Sequence, residues 1–234
     1  MKTRKYNLSE IEIIRTTFEM FLDKGYSKTT QKAICNSLGI SSGHLTYYYP
    51  TKEHILAVLV KLLCDFQTKM IEEEIKEGYT SLLAFSLELT VMASICEEDE
   101  IFKEFYLASY THPLTLEIIR NNDALKAMSI FGNFCNDWSE QNYQEAETIV
   151  SGVEYATIMT TKSSAPLELR IKGALHTIMS TYNVPQNVEQ EIINKILSMN
   201  YQEIGRRTKN EFIKYINTTT KEVLEETIER RRMR

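Results

Sequence analysis

Side chains suited to touching a phosphate backbone and base edges are concentrated in one short stretch, from Gly25 to Glu53. Hydroxyl, phenol and ammonium groups donate hydrogen bonds to phosphate oxygens, and a histidine can hydrogen-bond a base edge. A glycine among them lets a backbone approach a duplex closely. The stretch therefore predicts contacts with DNA, and the positions we single out are Thr30, Ser42, Gly43, His44, Tyr47, Tyr48 and Lys52.

Two short helices joined by a glycine turn are predicted to hold these side chains. Gly25 can take the positive φ that ends a preceding helix, and Gly39 can end the next helix after barely two turns. The predicted N-caps are Thr29 or Thr30 for the first short helix and Ser41 or Ser42 for the second. Two helices joined in this way form a helix-turn-helix, whose second helix enters the DNA major groove.

Individual roles follow from the predicted positions. Lys52 lies in the first turn of a fourth helix, whose positive end favours a phosphate. Thr30 and Ser42 can cap a helix and donate to phosphate at once, whereas Tyr49 is expected to face the core. For His44, a base-edge hydrogen bond and a solvated surface position stay equally open.

The same run resembles the N-terminal domain of the TetR family of bacterial transcriptional regulators, over roughly residues 9 to 62. The segments that carry the resemblance include Gly25-Tyr26, Thr29-Thr30, Gly39-Ile40-Ser41, Gly43-His44-Leu45-Thr46 and Lys52-Glu53. Thr46 stands where the family usually has tyrosine, and Tyr49 where it usually has phenylalanine. The tyrosine contact is therefore expected from Tyr47 and Tyr48 instead.

An all-α fold is expected for the whole chain, because eight glycines and four prolines are few among 234 residues rich in helix formers. The resemblance implies an N-terminal three-helix helix-turn-helix DNA-binding domain, placed at residues 1–52. It also implies a larger helical ligand-binding and dimerisation domain, placed at residues 53–234. After a first helix from Ser9, the later helices are predicted at about 50–76, 80–97, 98–110, 113–138, 144–162, 166–183, 187–206 and 209–232.

A small-molecule pocket is expected in the second domain, where aromatic residues are frequent. Pockets between helices are mostly apolar with a few polar groups that orient the ligand, although aromatic residues at helical spacing also build ordinary core. The candidate ligand contacts are Phe102, Tyr106, Tyr110, His112, Phe134, Trp138, Tyr155 and His176.

Charge is divided unevenly along the chain, which has a net charge of −5. Residues 1–62 contain nine Lys and Arg against five Asp and Glu, whereas residues 63–234 contain eighteen against twenty-seven. The basic excess therefore coincides with the predicted helix-turn-helix, as expected for phosphate binding.

Several other classes of protein are disfavoured by the sequence. It contains no catalytic motif, and its four widely spaced cysteines suggest neither a disulfide framework nor a metal site. Without a signal peptide or an apolar run long enough to span a bilayer, we expect a cytoplasmic protein away from membranes. We expect no enzymatic activity and no cofactor.

The favoured function is a ligand-responsive transcriptional regulator, a homodimeric repressor that binds a palindromic operator in double-stranded DNA. A small apolar or amphipathic effector would release it by moving the fourth helix. Segments 144–162 and 166–183 are the candidate dimerisation helices. The alternatives are a DNA-bound protein-interaction factor without a small-molecule ligand, and a helical dimer that has lost specific DNA binding.

Overall fold

The computed structural model describes residues 9–74 and 81–230, and these residues contain helices and connecting turns but no β-strand. The predicted end of the fourth helix near residue 76 lies outside them. The helices are α1 Glu10–Lys24, α2 Gln31–Leu38, α3 Ser42–Tyr48, α4 Lys52–Glu74, α5 Ser81–Glu98, α6 Glu100–Thr111, α7 Pro113–Phe131, α8 Glu140–Ile158, α9 Leu167–Thr181, α10 Gln186–Ser198, α11 Tyr201–Thr218 and α12 Lys221–Arg230. The all-α prediction is confirmed.

Local sequence signals set the boundaries of the first three helices. Ser9 and Glu12 form a capping box at the start of α1, and Gly25 ends that helix with φ of 89°. Thr30 caps α2 by accepting from the Ala33 N–H at 3.2 Å, and Gly39 ends it in the left-handed conformation. Ser41, rather than Ser42, caps α3.

Thr29, the other predicted cap of α2, has a different role. It is buried, and its hydroxyl donates to the carbonyls of Gly25 at 2.9 Å and Met20 at 3.2 Å. This side chain therefore fixes the turn that leads from α1 to α2.

The C-terminal part of the chain contains one helix more than predicted. Residues 186–230 form three helices where two were predicted, because Asn200 and Thr220 interrupt the pattern. The Asn200 side chain accepts from the Glu203 N–H at 3.3 Å, and the Thr220 hydroxyl accepts from the Val223 N–H at 3.4 Å. Residues with short polar side chains favour such capping over helix interiors. The helix predicted at 113–138 also ends earlier, at Phe131.

The buried hydrophobic residues form one continuous cluster from Ile11 in α1 to Leu224 in α12. Phe18 of α1 packs edge-on against Phe105 of α6 and Phe212 of α11, with ring centroids 6.1 and 5.4 Å away. The Arg15 guanidinium donates to the carbonyls of Ile216 and Thr219 at the end of α11. The first three helices are thus attached to the rest of the molecule by apolar and polar contacts.

Within the described residues, none of the helices combines the length and the hydropathy needed to cross a membrane. The same residues bring together no cluster of three or more His, Cys, Asp and Glu side chains that could hold a metal ion. All four cysteines are buried.

Candidate DNA-contacting surface and interior cavity

The outer face of α3 is open. Tyr47 is 82% exposed and Tyr48 36%, and their rings meet edge to face with centroids 5.1 Å apart. Ser42 and Gly43 are exposed as well, and a Cβ placed on Gly43 would meet nothing within 4 Å. The surface therefore offers two phenols, a hydroxyl and accessible backbone to an approaching duplex.

His44 is less accessible than its neighbours on α3. Its ring lies edge-on to the Tyr48 ring, 5.6 Å away, and its Nε2 atom is buried without a hydrogen-bond partner. A base-edge bond from Nε2 would therefore need this atom to become accessible.

Lys52 is held by the turn between α1 and α2. Its Nζ donates to the Tyr26 carbonyl oxygen at 2.9 Å and lies 3.8 Å from the centroid of the Tyr26 ring. Burial lowers the pKa of Lys52. The Tyr26 hydroxyl in turn donates to Glu53 Oε1 at 3.0 Å. This ammonium thus ties α4 to the α1–α2 turn, with two further N–H donors available to a phosphate.

Gln31 is a positioning residue that the sequence did not single out. Its amide nitrogen donates to the carbonyls of Pro50 at 3.0 Å and Tyr49 at 3.4 Å, which joins the start of α2 to the end of α3. Tyr49 is buried, as expected, and donates to Glu10 Oε1 at 2.8 Å. These bonds fix α3 against α1 and α2, but no motif in the sequence marks Gln31 for this role.

A cavity of about 50 Å³ lies among α4, α5, α6, α7 and α8. Its apolar lining includes Leu63, Phe85, Leu89 and Met92. Its polar lining consists of Gln67, Glu88, Tyr106, Ser109, Tyr110, Asp123 and Glu154. The cavity therefore combines aromatic walls with carboxyl groups.

Two of the eight candidate ligand contacts, Tyr106 and Tyr110, line this cavity. The other six are placed elsewhere. Phe102 packs against Phe105, and His112 caps α7. Trp138 packs against Tyr143 and Tyr182, His176 lies 2.7 Å from Glu189 Oε1, and Phe134 and Tyr155 are half-buried outside the lining. Aromatic content alone did not separate core from cavity.

The carboxyl groups around the cavity were missed by sequence reasoning. Glu154 Oε2 accepts from the Tyr110 hydroxyl at 3.0 Å, and Lys126 Nζ lies 3.0 Å from Glu88 Oε1 and 3.6 Å from Asp123 Oδ1. Burial, followed by the charges of Asp123 and Glu147, raises the pKa of Glu154 well above its usual range. No feature of the sequence marked these acids, since each resembles the charged residues on solvated helix faces.

Glu147 lies behind this group on α8, fully buried, and accepts from the Tyr182 hydroxyl. Its other oxygen, Oε2, is buried without a partner. Burial, together with the charge of Asp123, raises the pKa of Glu147 from 4.5 to about 8. A carboxyl with a raised pKa binds its proton more tightly in the folded chain than in the unfolded one.

This difference predicts a pH-dependent stability. The contribution of Glu147 to the free energy of unfolding should fall as pH rises from about 4.5 to about 8, and Asp123 and Glu154 act in the same direction. Glu147→Gln should therefore reduce the fall in the free energy of unfolding with rising pH, and the variant should be more stable than the parent at pH 8. Urea unfolding at several pH values between 5 and 8 measures this.

The matched control is Glu145→Gln, an equivalent change at an exposed position of the same helix. It should leave the pH dependence of the parent unchanged. Parallel stability curves for Glu147→Gln and the parent would contradict the assigned role of Glu147.

The chain is similar in sequence to bacterial regulators. It is 28% identical over 106 residues to an uncharacterized HTH-type transcriptional regulator, YuxN, of Bacillus subtilis (strain 168). The aligned segment is 45% of this chain, and the chain spans only about a third of that relative, 36% of its length.

Solved structures with which the chain aligns include the TetR family protein CprB from S. coelicolor A3(2), at 15% identity and a TM-score of 0.43 over 85% of this chain and 95% of that one. A gamma-butyrolactone receptor described as an ArpA like protein gives 15% identity and a TM-score of 0.42, over 86% and 95% of the two chains. Mycobacterium smegmatis AmtR gives 15% identity and a TM-score of 0.39, over 85% of this chain and 99% of that one.

The sequence model of bacterial regulatory proteins of the tetR family matches residues 13–59, from the first half of α1 to the first turns of α4. The matched range contains the capped α2, the glycine turn and the open face of α3. By this match, the N-terminal helices of the chain belong to the tetR family of bacterial regulatory proteins.

Proposed function

We propose that the protein is a ligand-responsive transcriptional regulator, a homodimer that represses by binding a palindromic operator and leaves DNA when a small effector binds. In this proposal residues 1–52 are the DNA-binding domain, and residues 53–234 hold the effector and the dimer interface. The observation that carries the proposal is the open face of α3, with Tyr47 82% exposed, within the range that matches the family.

The contacts with DNA would come from α3 and its flanks. Tyr47 and Tyr48 offer phenols on the open face, whereas Thr30, Ser42 and Lys52 surround it with donors suited to phosphate. Gly43 lets the backbone approach the duplex, and His44 can bond a base edge if its buried Nε2 becomes accessible on binding. The basic excess of residues 1–62 favours the same side of the molecule.

The exposed faces of α8 and α9 support dimerisation through the two predicted segments. Ile149 and Leu169 are 54% and 59% exposed, so each helix presents a large apolar side chain that a second copy could cover. On the same faces, a Cβ added to Gly152 or Gly173 would meet nothing within 4 Å. A second copy could therefore approach both helices closely, as in a four-helix bundle.

Two helices connect the cavity to the DNA-binding side. The fourth helix, α4, supplies Gln67 to the cavity and begins at Lys52. A second link is α6, which carries Tyr106 and Tyr110 as well as Glu104, whose Oε1 accepts from the Ser27 N–H at 2.6 Å. The Glu104 carboxylate also lies directly against Gly25, since a Cβ added to Gly25 would be only 2.2 Å from Glu104 Oε2. An effector that binds better to a shifted arrangement of α4 or α6 would thereby shift α1–α3 as well.

The proposal is tested by selecting duplexes from a random DNA pool with the full chain. An inverted repeat should be enriched, with half-sites about one helical turn apart, or about 34 Å. Failure to enrich any sequence would favour the dimer that has lost specific DNA binding. If an inverted repeat is enriched but none of the small molecules tested releases the protein from it, the result would favour the DNA-bound protein-interaction factor.

A further inference from the structure

We propose that two adjacent side chains of α6, Lys103 and Glu104, form a clamp that fixes the DNA-binding helices relative to α8 and α9, and so determines which half-site spacing the protein accepts. This inference rests on the proposed function, because it takes α8 and α9 to be the dimer helices. Two α3 helices in a dimer match half-sites one DNA turn apart only if each is held firmly relative to the interface.

The Glu104 side of the clamp holds the turn between α1 and α2. The Glu104 carboxylate accepts from the Ser27 N–H at 2.6 Å and occupies the space that a Cβ on Gly25 would need. Burial lowers the pKa of Lys52, and the charges of Glu53 and then Glu104 oppose this shift. One carboxylate thus acts both on the α1–α2 turn and on the first residue of α4.

The position of Glu104 suits it to stop this turn from swinging. Arg15 and Phe18 attach the middle of α1 to α11 and α6, but these two contacts lie within about one helical turn of each other. Gly25 lies about 10 Å further along the helix, at a rise of about 1.5 Å per residue. Because Gln31 joins α2 to the end of α3, holding the α1–α2 turn also holds α3.

The Lys103 side of the clamp holds the loop between α8 and α9. Lys103 is 9% exposed, and its Nζ donates to the Thr160 hydroxyl at 2.6 Å. Near the start of α9, Arg170 donates to the Thr157 carbonyl in the last turn of α8 and to the Glu97 carboxylate at the end of α5. Neighbouring residues on a helix point about 100° apart, so one turn of α6 contacts both the α1–α2 turn and the α8–α9 loop.

The clamp is tested with operators in which the spacing between the half-sites is one base pair longer or shorter than the selected one. Each step turns one half-site by about 35° relative to the other. The parent should bind the altered operators at least about tenfold more weakly, since one lost hydrogen bond to a charged phosphate has about that effect. Glu104→Ala and Lys103→Met should bind them within about threefold of the selected operator. Fluorescence anisotropy measures these affinities.

Three further variants separate positioning from stability. Glu104→Gln keeps an oxygen that can accept from the Ser27 N–H and should retain most of the spacing preference. Glu117→Ala, at an exposed position of α7, is the matched control and should leave the preference unchanged. Thr160→Val removes only the accepting hydroxyl and replaces Lys103→Met if that variant does not fold. A loss of stability alone would weaken binding equally at every spacing.

A second measurement needs neither DNA nor a dimer. Ser37→Cys on α2 and Lys172→Cys on α9 place spin labels at two exposed positions, whereas the four native cysteines are buried. Doubly labelled chains are diluted with unlabelled chains, and double electron–electron resonance gives the distance distribution within one chain. The parent should give a narrow distribution, and Glu104→Ala and Lys103→Met should each give a broader one.

The clamp is overturned if the parent and Glu104→Ala give distributions of equal width, or if the variants keep the spacing preference of the parent. Broadening by Glu104→Ala but not by Lys103→Met would also overturn it, because the α8–α9 loop would then play no part. The proposed function fails separately. If no operator is selected, or the chain forms no dimer, the regulator proposal is wrong, while the distance measurement still decides whether Lys103 and Glu104 hold the two parts together.

Discussion

Phe18→Ala should lower the free energy of unfolding reported by Trp138 by about 3–5 kcal/mol, although the two residues lie in different parts of the fold. Phe18 is 1% exposed and its ring packs against Phe105 and Phe212, so its removal leaves a hole between α1, α6 and α11. Trp138 is the sole tryptophan of the chain and packs against Tyr182 in the larger helical part. Urea unfolding followed by tryptophan fluorescence measures the effect.

Phe21→Ala is the matched control, because Phe21 lies on the same helix with the same 1% exposure but packs against Tyr26 of the following turn. Its loss should show mainly in circular dichroism, which reports all helices, and much less in the fluorescence of Trp138. Equal midpoints by fluorescence for the Phe18→Ala variant and the parent would show that residues 1–52 and 53–234 unfold independently.

The N-terminal helices could be predicted almost residue by residue, because local chemistry determines them. The capping box of Ser9, the left-handed turn at Gly39 and the cap before α3 each act within a few residues of the chain. The later helices have weaker local signals. Thr220 caps α12 inside an unbroken run of polar residues, so composition alone did not reveal the end of α11.

The cavity could not be predicted, since its lining depends on packing between helices far apart in sequence. Tyr106 lines the cavity, whereas Phe102, one turn earlier on α6, packs elsewhere. Glu154 has the spacing of a surface acid, and its burial follows from the packing of several helices around α8, among them α6, which brings the Tyr110 hydroxyl to its carboxylate. The helix-turn-helix is encoded locally, while the chemistry of the cavity emerges from tertiary structure.

Tyr47→Ala should weaken binding to the selected operator by about tenfold to a hundredfold, equivalent to about 1–3 kcal/mol of lost contact. Thr46 stands where the tetR family usually has tyrosine, and the Thr46 hydroxyl donates to the Ser42 and Gly43 carbonyls. The most exposed phenol of α3 is therefore that of Tyr47. Fluorescence anisotropy with labelled operator measures the affinity. Because the side chain is 82% exposed, the stability of the fold should change by less than about 0.5 kcal/mol.

Tyr47→Phe separates the two interactions that the side chain can make. If the Tyr47 hydroxyl bonds a phosphate, Tyr47→Phe should lose most of the affinity that Tyr47→Ala loses. If the ring instead contacts a thymine methyl, Tyr47→Phe should keep the affinity of the parent. Leu125→Ala removes a large exposed side chain from α7 and should leave operator binding unchanged. If Tyr47→Ala also left it unchanged, the open face of α3 would not be the surface that reads DNA.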